Sequence, residues 1–66
     1  MTLIQVLELI SDSAEVRVYI YGMEIARYNG KDSIPIEYNT YKVYAMYPAI
    51  EFYKDKGIPY IAIEVM

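Results

Sequence analysis

A chain of 66 residues with neither cysteine nor histidine has to hold itself together without the staples on which small domains usually depend. No disulfide can form, and no thiolate or imidazole is present to build a structural zinc site. At this size folding buries only about 60% of the surface that the unfolded chain exposes, and apolar burial roughly balances the entropy of ordering. Stability has to come from dense packing or from self-association. Composition suits both, since 56% of the residues are apolar and nine are tyrosine, more large side chain than so small an interior can hold. Part of that apolar and aromatic surface is expected outside.

Periodicity predicts the elements. Thr2 stands three residues before Gln5 in the spacing of a capping box, and Leu3, Ile4, Val6, Leu7 and Ile10 then gather on one side of a helix, with Leu9 the misfit. Ser11-Asp12-Ser13 is a polar stop. From Val16 to Tyr21 the chain alternates, with Val16, Val18 and Ile20 on one face and Arg17, Tyr19 and Tyr21 on the other. Gly22 can take the positive φ of a tight hairpin, so Glu24–Tyr28 reads as the antiparallel return strand, closed by Asn29-Gly30. Ser33 ahead of Ile34-Pro35 has the pattern of a cap on one short helical turn. Tyr41–Tyr47 reads as a third strand halted by Pro48, and Tyr60–Val65 as a fourth, with Lys54–Gly57 a polar turn and Ile50–Tyr53 available to lengthen these strands into a long hairpin. The expected architecture is a single α+β domain spanning residues 1–66, one N-terminal amphipathic helix packed on an antiparallel sheet of about four strands.

Chemistry is sparse. Without histidine or cysteine the commonest general base and the strongest side-chain nucleophile are missing, and no serine triad or thiol site is possible. Glu8 and Asp12 share a helix face opposite the apolar stripe, where solvated carboxylates are ordinary, and Asp32, Glu37, Glu51, Asp55 and Glu64 lack metal-ligand spacing. Gly30-Lys31-Asp32-Ser33 has a passing look of a phosphate loop, but Gly22 is too far upstream and Asp32 stands in place of the hydroxyl residue. No enzyme activity, cofactor or metal is expected. Nine acidic against six basic residues, a net charge of −3, disfavour direct nucleic-acid binding. No signal peptide or stretch of eighteen apolar residues points to secretion or a membrane, so a cytoplasmic location is expected.

The tyrosines carry the functional expectation. With Val16, Val18 and Ile20 under the helix, a single helix leaves the other sheet face uncovered, and aromatics there are half exposed. Tyrosine suits interfaces because it offers a large rigid apolar area with a polar tip. The expected protein-binding residues are Arg17, Tyr19 and Tyr21, joined by Tyr28 and Tyr44 from neighbouring strands. A homodimer without a foreign target is the alternative, and a weak nucleic-acid or small-ligand binder ranks third.

The order of amphipathic helix, Ala14–Tyr19 strand, glycine hairpin, Ile34-Pro35 loop and Tyr60–Val65 strand resembles very short uncharacterised proteins of bacteriophages and mobile elements of low-GC Gram-positive bacteria. The resemblance is one of style and covers most of the chain. It implies a stoichiometric inhibitor of a host nuclease or defence complex, of the anti-CRISPR or another anti-defence kind, acting in the host cytoplasm.

Overall fold

Two tight turns organise the chain. In the computed structural model, which describes residues 1–10, 13–28 and 35–66, Tyr21 and Gly22 have φ of 50° and 78°, and Lys54 and Asp55 have φ of 48° and 67°. Positive φ at both central residues belongs to the hairpin turn whose twist matches that of the flanking strands. The first turn joins β1 (Val16–Ile20) to β2 (Met23–Tyr28), the second β3 (Val43–Tyr53) to β4 (Lys56–Val65). Both pairs are antiparallel, closing at Ile20–Met23 and Tyr53–Lys56. The long hairpin drawn from Ile50–Tyr53 is present, but Pro48 does not stop β3. That strand lies at the sheet edge, where a ring without an N–H can be accommodated, and Pro48 pairs with Ile61 inside it.

The hairpins meet through β1 and β4, which run parallel from Val16–Ile61 to Ile20–Val65, and the strand order is β2-β1-β4-β3. The sheet is therefore mixed and not antiparallel throughout. A turn specifies how each strand pairs with its sequence neighbour, whereas the β1–β4 pairing is long-range and leaves no local mark in the sequence. It obliges β2 and β3 to run the same way, so the connection between them has to travel back along the sheet. One 3₁₀ turn, Ile36–Tyr38, follows Pro35 in that connection, where a short helical turn is expected; the expected cap Ser33, the Gly30–Ser33 stretch, the Asn29-Gly30 closure, and Ser11 and Asp12 lie outside the described residues.

The N-terminal helix α1 spans only Leu3–Leu7. Its entry is fixed by the Thr2 N–H donating to Gln5 Oε1 at 2.9 Å, and by the N–H groups of Leu3 and Ile4 donating to the carbonyls of Tyr41 and Asn39. Leu9 and Ile10 then bond back to Val6 and Leu7 in three-residue steps that tighten and end the turn. So short a helix presents one edge: Leu3 and Val6 are buried, while Ile4, expected on the apolar side, is exposed. The periodicity is right for Leu3 and Val6 and overstates the length. Tyr38 and Tyr41, meeting edge to face at 5.4 Å, cover the core beside α1.

That core comprises Leu3, Val6, Val16, Val18, Tyr28, Ile63 and Val65. β3 and β4 outrun it. The pairs from Ala49–Tyr60 to Tyr53–Lys56 lie beyond the last β1–β4 pair as a two-stranded ribbon, and the molecule measures 36 × 24 × 17 Å. Stability should therefore be concentrated at one end. Ile63→Ala is expected to cost about 3 kcal/mol, lowering the melting temperature by more than about 10 °C, while Phe52→Ala on the ribbon should change it by less than about 3 °C; calorimetry of the two variants checks the contrast.

Candidate functional site

The sheet face turned away from α1 follows from register, since directly opposed residues share a face. β1 contributes Arg17 and Tyr19, β4 contributes Tyr60, Ala62 and Glu64, and β3 contributes Tyr47, Ala49 and Glu51. Glu24 and Arg27 of β2 stand opposite Tyr19 and Arg17 and form an ion pair at 2.7 Å.

Arg17 is the anchor of this face. It is only 4% exposed, its guanidinium lying over the Tyr60 ring at 4.0 Å from the centroid, with one amino group donating to Glu15 at 3.2 Å and to Glu51. Burial works against its charge, but the two carboxylates outweigh it and hold the guanidinium above its ordinary range. Nε has no hydrogen-bond partner among the described residues. Because Glu51 sits on the ribbon and Glu15 on the approach to β1, a single buried cation ties the overhang to the sheet.

Beside it, phenols converge on one carboxylate. Tyr44 donates to Glu64 Oε1 at 3.2 Å, and the Tyr47 phenol stands close enough to feel the same carboxylate. Partial desolvation, reinforced by the Glu64 charge, holds both phenols above the usual tyrosine value. Strict alternation would send Tyr44 and Tyr47 to opposite faces; the bulge between Val43 and Ala45 brings them to one. Tyr19, half-buried and beside Tyr60, likewise keeps its proton above that value.

The five residues expected from the sequence separate in the structure. Arg17, Tyr19 and Tyr44 share the outer face, although Arg17 is sequestered by its carboxylates. Tyr21 is not on the strand: it is the first residue of the β1–β2 turn and 87% exposed at the end of the sheet. Tyr28 belongs to the other side, buried in the core opposite Val16. An unbulged hairpin closing at Ile20–Met23 would set Tyr28 against Glu15 on the outer face, but Ile25 is an extra residue, and Tyr19–Glu24 is followed by Val18–Ala26. One inserted residue turns the rest of the strand over. Tyr47, Tyr60 and Glu64 join the face unanticipated; Tyr60 and Glu64 alternate with Ile61, Ile63 and Val65 and were legible from that pattern.

Among the described residues no group of three or more acidic side chains could hold a metal ion, and no helix is long and apolar enough to cross a membrane. A cleft of about 390 Å³ opens at the root of the ribbon, lined mainly by Ala14, Pro48, Ala49, Pro59, Tyr60 and Ile61. No family model matches the chain, nor does any curated protein or solved structure.

Two measurements test this geometry. Glu51→Ala leaves a buried guanidinium with one carboxylate, whereas Arg17→Met removes the buried charge and leaves carboxylates that reach solvent. The first should cost about 1–3 kcal/mol in urea unfolding and the second distinctly less. In alkali the raised phenols have a defined sign: below the unfolded tyrosine value near 10 their contribution is fully present, and as pH climbs through the higher folded values the unfolded chain releases protons first and stability falls. Urea midpoints should therefore drop between about pH 9 and pH 12, with tyrosinate absorbance following late, and Tyr19→Phe should flatten the fall.

Proposed function

We propose that this chain is a non-enzymatic protein-binding module that docks on one partner protein through the outer tyrosine face. The observation that carries this reading is the gathering of half-exposed Tyr44 and Tyr47 about Glu64, because the Tyr44–Glu64 hydrogen bond restrains this aromatic patch before a partner arrives. Rings already restrained lose little freedom on binding, and aromatic anchors of this kind dominate protein interfaces. The charges on the face favour a partner over a nucleic acid. Arg17 is sequestered by Glu15 and Glu51, and the exposed Arg27 is paired with Glu24, so the face carries little unpaired positive charge to neutralise phosphates, and Glu64 offers an acceptor to arginine or lysine. In its more specific form the reading is a stoichiometric inhibitor covering a basic groove of a host nuclease or defence complex, in the cytoplasm of the host.

The test begins with a partner captured by the tagged chain and purified for titration. Tyr44→Ala and Tyr47→Ala should each weaken binding roughly thirtyfold, about 2 kcal/mol, with an unchanged circular dichroism spectrum. Normal binding by both variants, together with loss of binding on Glu8→Lys or Asp55→Lys, would move the working surface elsewhere and sink the proposal.

A further inference from the structure

The ribbon has a second face, and its chemistry differs from the first. Met46 opposes Ile63, Pro48 opposes Ile61, Ile50 opposes Pro59 and Phe52 opposes Gly57, so these β3 side chains lie on the same side of the sheet as the core. The core does not reach them. Met46, Ile50 and Phe52 are 55%, 53% and 73% exposed. Gly57 gives Ile50 and Phe52 room to gather over the strand pair, since a Cβ there would come within 2.8 Å of Ile50 Cδ1 and 3.6 Å of the Phe52 ring. The result is an uncharged apolar stripe along the helix side of an edge strand.

We infer that this stripe is the contact surface for a second copy of the chain, packed ribbon against ribbon about a two-fold axis at Ile50. Charge selects the occupant. A two-fold contact sets each patch against its own copy, and the opposite side of the ribbon carries Glu51, which would meet a like charge. The core side of the β3 stripe carries no charged side chain. Register supplies the fit: Phe52 and Pro48 stand two residues either side of Ile50, so an antiparallel crossing at Ile50 brings each Phe52 ring over the other copy's Pro48. Pro48 is one of the residues lining the cleft at the ribbon root, a lining mostly apolar with Ser13 and Glu15 its most polar members, and each ring thus has a recess to enter. Pro48 also interrupts the β3 edge, which disfavours simple strand-to-strand extension of the sheet and favours face packing.

Area sets the strength. At roughly 200 Å² for a fully exposed large side chain, the stripe and cleft mouth offer roughly 450 Å² per copy and about 900 Å² in the pair, a size typical of weak reversible association. The dimer leaves the Tyr44–Tyr47–Glu64 face free, so it stands independently of the function proposed above and is measured on the chain alone. Sedimentation velocity from about 1 μM to 1 mM should show a monomer–dimer equilibrium with a Kd on the order of 10–100 μM. Ile50→Ser and Phe52→Ser should each weaken it at least tenfold without altering the circular dichroism spectrum, and Tyr44→Ala should leave it unchanged. A strict monomer up to 1 mM, or a dimer indifferent to both ribbon variants, overturns the inference. So does flotation with phosphatidylglycerol vesicles that Phe52→Ser abolishes in a chain that never self-associates, which would assign the stripe to lipid.

Discussion

Five residue pairs, from Val16–Ile61 to Ile20–Val65, join two hairpins that would each be marginal alone in water. Their side chains on the inner face supply most of the buried core, and α1 has little to cover apart from the strip they create. Leu3 and Val6 close that strip from above, while Tyr28 enters it from the β2 side. The connection that the parallel pairing requires is used as well: Asn39 and Tyr41 accept the first N–H groups of α1, and Lys42 exchanges bonds with Met66. The helix, the crossing segment and the end of β4 are held together by backbone groups that the long connection brings within reach.

On the outer face the organising element is a cation. A guanidinium as buried as Arg17 is tolerated only when charge and hydrogen bonds surround it, and it has two carboxylates and an aromatic ring, although one nitrogen has no partner among the described residues. The arrangement contributes direction more than stability. Glu51 lies on the ribbon beyond the last β1–β4 pair, so the Arg17–Glu51 contact fixes how the overhang leaves the sheet.

Much of this was legible in the sequence, and the failures have a common origin. Alternation from Val16 to Tyr21 placed β1 with one residue too many, Gly22 and the Lys54–Gly57 stretch marked both turns, and the lack of cysteine and histidine excludes disulfides and thiolate or imidazole zinc sites. What went astray depends on inserted residues or on distant pairings. The bulge at Ile25 moved Tyr28 from the outer face to the core, and the bulge near Tyr44 brought Tyr47 to the outer face; alternation counts residues and cannot see either. The parallel joint made the sheet mixed, and nothing local encodes it. The helical pattern up to Ile10 was real as hydrophobicity, but the tightened turn at Leu9 and Ile10 left only five residues helical.

The position of β4 also governs when the fold can appear. It is the last of the four strands in chain order, yet it lies inside the sheet between β1 and β3, so a growing chain can form the β1–β2 hairpin and the N-terminal turn but has nothing to complete the core. At a synthesis rate of about 5–20 residues per second, the interval between finishing β2 and finishing β4 is roughly 2–7 s. Until β4 joins, the apolar side of β1 and its inner edge have no partner. Cooperative collapse has to wait for the whole of the second hairpin, and a ribosome stalled anywhere before β4 would hold an unfolded polypeptide, not a smaller domain.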